Sequence, residues 1–133
     1  MESAKMAVLL VDDDADLLEQ VRVVVAREFD VELANSGAEA IEKLARKHYD
    51  CIVMDVMMQS LGDGLDAAKK IKENAATRTI PVIMVTGVFE HYDYREEIDA
   101  GFFPNDCWLN KPVDPHVLME EIRKLVARGA ANA

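Results

Sequence analysis

Asp12, Asp13, Asp55, Thr86 and Lys111 are the residues whose types and placement could do chemistry together. Each follows a short apolar run: KMAVLLV before Asp12-Asp13, CIVM before Asp55, IPVIMV before Thr86, CWLN before Lys111. An acid that closes a buried strand lies at the carboxyl edge, where open α/β sheets bind ligands. If the runs are strands of one sheet, all five side chains gather there. Three carboxylates about 5 Å apart repel pairwise by roughly 3 kcal/mol at an effective dielectric near 20, about 10 kcal/mol for the trio. Such a site calls for a cation, and an all-oxygen donor set with room for water suits Mg²⁺, or Mn²⁺, rather than Zn²⁺. Lys111 adds a fixed positive charge and Thr86 a hydroxyl donor. A metal, an ammonium and a hydroxyl around one carboxylate form a cradle for a phosphoryl group, and aspartate is a competent phosphoryl acceptor. Asp55 is the predicted reactive group.

Alternating strands and helices must position these residues. Lys5 to Val11 has no polar alternation and suits a strand covered on both faces. A helix follows, capped by Asp14 or Asp16, with Leu17, Leu18, Val21, Val24, Val25 and Phe29 at helical spacing. Asp30 to Ala34 is the second strand. Ser36 and Glu39 form a capping box opening a helix whose buried side is Ala38, Ile41, Leu44 and Ala45, with His48 at its margin. Cys51 to Met54 is the third strand, and Val56 to Gly64 is a loop. Leu65, Ala68 and Ile71 mark a helix to about Glu73, and Ile80 to Val85 is the fourth strand. Val88 to Asn105 is polar and aromatic, and at most a short helix fits around Tyr94 to Ala100. Asp106 to Asn110 is the fifth strand. Asp114-Pro115 opens a last helix with Leu118, Ile122, Leu125 and Val126 on one face. Five alternations predict an α/β fold: a doubly wound, five-stranded parallel sheet with helices on both faces. The expected domain is 5–128, with flexible ends at 1–4 and 129–133.

The chain of 133 residues suits one domain. Its net charge of −10 argues against nonspecific binding to nucleic acid or an anionic membrane. Cys51 and Cys107 form no CxxC pair and read as small core residues of a reduced compartment. No apolar run is long enough to span a bilayer, so a cytoplasmic location is expected.

With these residues in place, the chain resembles the receiver domains of two-component response regulators. The resemblance runs from about Lys5 to Arg128. It rests on Val11-Asp12-Asp13, on Asp55 followed by Met57-Met58 and a Gly64 turn, on Thr86-Gly87, and on Lys111-Pro112. It implies the flavodoxin-like strand order 2-1-3-4-5. It also implies that Asp55 is the phospho-acceptor, that Asp13 ligates Mg²⁺ directly and Asp12 partly through water, and that the carbonyl of Met57 completes the protein ligands. Thr86 would bond a phosphoryl oxygen and draw its loop inward, Lys111 would pair with the phosphate, and the Lys111–Pro112 peptide would be cis. Trp108 stands where the family carries a Tyr or Phe that changes rotamer on phosphorylation. Three features depart from the family pattern: Gln59 replaces the usual proline in a longer loop, the Thr86–Lys111 separation is long, and Trp108 is a larger aromatic. Met57 and Val88, two past Asp55 and Thr86, are apolar and would not orient an attacking water, so a slow loss of phosphate is expected.

The resemblance implies a phospho-acceptor rather than an enzyme, one that assists only its own phosphorylation and dephosphorylation. The implied donor is a sensor histidine kinase or a histidine phosphotransfer protein. The implied output is contact with a downstream protein, without an attached output domain, by a monomer or a phosphorylation-dependent dimer. The alternative is a phosphorylation-independent interaction module on the same fold; the complete set of five site residues favours the first. Asp12-x-Asp14-x-Asp16 mimics a calcium loop, but Leu17 and Val23 stand where Gly and Glu are needed.

Overall fold

The computed structural model describes residues 5–55, 63–86 and 107–131. Strand β1 spans Ala7–Val11, α1 Ala15–Val25, β2 Asp30–Ala34, α2 Gly37–Arg46 and β3 Cys51–Asp55. They are followed by α3 at Asp63–Glu73, β4 at Val82–Thr86, β5 at Cys107–Asn110 and α4 at Pro115–Ala131. The strands pair in parallel in the order β2-β1-β3-β4-β5, as expected.

Both faces of the sheet are covered, which is why the strands read as continuous apolar runs. Successive strand residues point to opposite faces. Leu9, Ile52, Met54, Val82 and Met84 pack with Ala40 of α2 and Ala67, Ala68 and Ile71 of α3. Val8, Leu10, Val53, Ile83 and Val85 pack with Leu18 and Val25 of α1 and Leu118 and Ile122 of α4. The α1 and α4 layer is also tied at its rim, where Arg123 donates from Nε and Nη2 to the Glu28 carboxylate at 2.7 and 2.6 Å.

Local signals set the helix starts. Asp14 caps α1, its side chain accepting from Leu17 N–H at 3.1 Å. Ser36 caps α2, its Oγ accepting from Glu39 N–H at 3.1 Å, and the Glu39 carboxylate reaches back to Asn35 N–H. Asp114 accepts from His116 N–H at 2.8 Å at the start of α4.

Several boundaries differ from the sequence reading. Strand β1 begins at Ala7, with Lys5 and Met6 exposed, and β4 begins at Val82, after Pro81. Helix α1 stops at Val25, and Phe29 is buried beyond its end. Helix α3 starts at Asp63 rather than Leu65. Helix α4 continues through Ala131, past Gly129, because Ala130 and Ala131 are strong helix formers. The largest correction is the buried face of α2. Gly37 and Ala40 are buried and Ile41 and Leu44 half-buried, while Ala38, Ala45 and His48 are exposed. Gly37 and Ala40 meet the core directly, and Ile41 and Leu44 pack at its margin.

Asp50 ties the entry of β3 to β1. Its carboxylate accepts from Ala7 N–H at 2.8 Å, and its own N–H donates to Ala7 C=O at 2.7 Å. Removing that acceptor strands a half-buried donor, which costs about 1–3 kcal/mol. Asp50→Ala is expected to lower the urea-unfolding free energy by that amount. Asp50→Asn, which keeps an acceptor oxygen, should lose less than half as much. Equal losses would show that the hydrogen bond is not what Asp50 contributes.

Candidate functional site

Register brings the five residues together. Val11 pairs with Met54, Asp55 with Val85, and Thr86 with Asn110. One step further along the chain, Asp12 follows Val11, Thr86 follows Val85 and Lys111 follows Asn110. The acids and the ammonium therefore cluster, with Thr86 at the same level, because four parallel strands end level with one another. Two backbone bonds fix the edge: Asp12 N–H donates to Ala34 C=O at 3.1 Å, and Lys111 N–H donates to Thr86 C=O at 2.9 Å. The Lys111–Pro112 peptide is cis.

Asp12, Asp13 and Asp55 each offer a carboxylate oxygen, and these oxygens lie within 4.8 Å of one another. Asp55 is 3% exposed and Asp12 7%, while Asp13 is open to solvent. Lys111 Nζ lies 2.9 Å from Asp55 Oδ2 and 3.8 Å from Asp12 Oδ2. The other Asp12 oxygen accepts from Asp14 N–H at 3.0 Å. Two buried acids beside one solvent-facing acid make a half-open, all-oxygen donor set that fits a hard divalent cation such as Mg²⁺. Thr86 is fully buried at the end of β4.

The electrostatics follow from burial and like charge. Burial pushes the Asp12 carboxyl up, from 3.8 to about 6; the Asp14 N–H opposes this, the Asp55 charge adds to it, and Lys111 opposes it. Burial pulls the Lys111 ammonium down, but the hydrogen bond to Asp55 and the charges of Asp55, Asp12 and Asp13 outweigh it and leave its pKa raised. Lys111 stays a cation.

Of the residues singled out in the sequence, Asp12, Asp13, Asp55 and Lys111 meet directly, and Thr86 joins them through the backbone. Trp108 sits apart, opposite Met84 in register and packed against the core on the α2 and α3 side. Met57 and the 88–105 segment lie outside the described residues, as does Asp106. Sequence reasoning missed the cavity of 480 Å³ beside the acids, whose walls include Leu17, Val21 and Val113. No local signal marks it, because it depends on where α1 lies over the sheet.

The response regulator receiver domain family model matches residues 8–123. The chain is similar to the transcriptional regulatory protein CpxR homolog of Haemophilus influenzae, 36% identical over 92% of this chain and 51% of that protein. It is similar to transcriptional regulatory protein ResD of Bacillus subtilis, 32% identical over 95% of this chain and 50% of that protein. The chain thus spans about half the length of these curated relatives. Its fold matches a CheY-like receiver domain protein from Methanospirillum hungatei with a TM-score of 0.84 at 22% identity, over 98% of this chain and 100% of that one. It also matches the receiver domain of the Francisella response regulator 1452 with a TM-score of 0.79 at 26% identity, over 92% of this chain and 98% of that one.

The raised Asp12 pKa makes a stability statement. Well below pH 3.8 the carboxyl is protonated in folded and unfolded chains alike, and no penalty arises. As pH rises from 3.8 through about 6 the unfolded chain ionises first, so the fold loses stability relative to it, and the loss is complete above that window. Without divalent metal, Asp12→Asn is expected to melt a few degrees higher than wild type at pH 8. The gain should shrink toward pH 4, and Mg²⁺ should narrow it at pH 8 by stabilising wild type more. A variant no more stable than wild type at pH 8 would refute the strained-acid account.

Proposed function

The chain belongs to the response regulator receiver domain family, and on that footing we propose that it accepts a phosphoryl group on Asp55 from a phosphohistidine in a Mg²⁺-dependent reaction. The donor is a sensor histidine kinase or a histidine phosphotransfer protein. The observation that carries the reading is the contact of Lys111 Nζ with Asp55 Oδ2 at 2.9 Å, inside a cluster of three acids whose oxygens lie within 4.8 Å. A buried carboxylate held by a fixed ammonium, next to acids that want a metal, is suited to receiving charged phosphoryl oxygens.

In the proposed step an oxygen of Asp55 attacks phosphorus. A new P–O bond forms, the P–N bond to the donor imidazole breaks, and the electron pair stays on the imidazole nitrogen. Asp12, Asp13 and Asp55, with the Met57 carbonyl, would hold Mg²⁺, which when bound supplies neutralising charge for the phosphoryl oxygens. Lys111 transfers its hydrogen bond from the Asp55 carboxylate to a phosphoryl oxygen. The Thr86 hydroxyl donates to another. A displacement of Thr86 acts on Lys111 through the 2.9 Å backbone bond between them and on the β4–β5 pairing that carries Trp108. The domain then signals by contact with a downstream protein in the cytoplasm, as a monomer or a phosphorylation-dependent dimer. The net charge of −10 favours a protein target over nucleic acid.

Acetyl phosphate with Mg²⁺ is expected to leave one acid-labile phosphate on the wild type and none on Asp55→Asn. Trp108, the single tryptophan, should change its fluorescence in step with that phosphate, and the Asp55→Asn signal should respond to Mg²⁺ only. A wild type that never carries acid-labile phosphate would sink the phosphoryl-acceptor reading and favour a phosphorylation-independent interaction module. The apolar Met57 and Val88 lead us to expect a phosphoprotein lifetime well beyond seconds. Decay of ³²P within seconds would contradict their proposed part.

A further inference from the structure

The cavity missed by sequence reasoning has a volume of 480 Å³, within the range of about 300–1,000 Å³ usual for small-molecule sites. A phosphoryl group, with four heavy atoms, fills only a small part of it. Ten of the fourteen described lining residues are apolar, so most of the described wall offers nothing to a phosphate. That wall combines the underside of α1 (Leu17, Leu18, Val21), the start of α4 (Leu118) and the Pro112-Val113 turn. The polar residues among the described lining are Gln20, Asp12, Asp55 and Lys111.

The charge at the polar end selects the ligand class. Among the described residues, two buried carboxylates face a single ammonium. Lys111 Nζ is committed to Asp55 at 2.9 Å and reaches Asp12 only at 3.8 Å. Asp12 is thus the acid left with the greater demand for a positive partner. An anionic ligand would meet two carboxylates. A neutral apolar ligand would take water from Asp12 and return nothing, which is costly for a buried charge. A cation on an apolar stem satisfies both ends of the cavity.

We propose that this cavity binds a small apolar organic cation, of the alkylamine or arylalkylamine class, with its ammonium on Asp12 and its hydrocarbon body beneath α1. Because Asp12 is also in the acid cluster that fits a divalent ion, the amine and the metal compete. A ligand that favours the metal-free state draws the population toward it by mass action. The cavity is then a point at which a small molecule holds the domain off.

The test uses the full chain without divalent metal or phosphodonor, so its failure leaves the phosphoryl-acceptor reading untouched. Hexylamine, hexanol and hexanoate share one hydrocarbon body and differ in charge. Hexylamine is expected to raise the melting temperature and to shift the methyl resonances of Leu18, Val21 and Val113 saturably. Hexanol should bind at least tenfold more weakly, and hexanoate more weakly still. Added Mg²⁺ should raise the apparent Kd of hexylamine. Val21→Phe fills the cavity from a half-buried position and should weaken hexylamine at least tenfold while the protein keeps its Mg²⁺-dependent rise in melting temperature. Leu17→Phe, one turn earlier, gives an independent obstruction if Val21→Phe does not fold. Equal affinity for hexanol and hexylamine, no saturable shift at these three residues, or hexylamine binding unchanged by a folded obstructing variant would each overturn the proposal.

Discussion

Mutual repulsion among Asp12, Asp13 and Asp55 is the constraint around which the carboxyl edge of the sheet is built. Three carboxylates with oxygens inside 4.8 Å do not assemble by themselves. The sheet forces them together, and the core on both of its faces supplies the stability that makes this tolerable. Lys111 relieves part of the repulsion but cannot match all three charges, and it is bound more closely to Asp55 than to Asp12. The result is a site with a standing deficit of positive charge. Function-bearing sites often carry such local strain, held by the rest of the fold.

The deficit is held in place by strand ends rather than by loops. Asp12 and Lys111 lie one residue beyond strands whose register is fixed, and Asp55 and Thr86 are the last residues of theirs. A one-residue slip in any pairing would send a site side chain to the opposite face. Both faces of the sheet are packed, so a slip would also exchange the side chains of the two cores and force both to repack. The same hydrophobic burial that stabilises the fold therefore fixes the geometry of the acids.

Much of this was legible in the sequence because each signal was local and repeated. Apolar runs ending on acids, a capping aspartate and a serine–glutamate box each state one boundary, and five alternations agree on one topology. The buried face of α2 was not legible. Two faces, one through Ala38, Ile41, Leu44 and Ala45 and one through Gly37, Ala40, Ile41 and Leu44, fit a helical period equally well. Ile41 and Leu44 belong to both faces and do pack on the core. What differs is whether Ala38 and Ala45 or Gly37 and Ala40 meet the sheet, a difference of one methyl group that hydrophobicity does not decide. The end of α4 was misplaced for a related reason: Gly129 reads as a stop, but nothing after it prevents another helical turn. The cavity beside the acids carried no signal at all, since its walls come from four distant segments.

The pleat separates the two halves of the site. Asp55 shares its side of the sheet with Val53 and lines the cavity with Leu18 and Leu118, on the α1 and α4 face. Thr86 continues the alternation of Val82 and Met84, which belong to the α2 and α3 face, and Trp108 packs on that face as well. A group held at once by the Asp55 carboxylate and the Thr86 hydroxyl must therefore straddle the strand ends and link the two layers. Neither core alone could report its arrival. Lys111 stands at the same junction, with its ammonium on Asp55 and its N–H on Thr86 C=O. On the proposed reading, an event beside α1 would reach the opposite layer through the end of β4 and its pairing with β5.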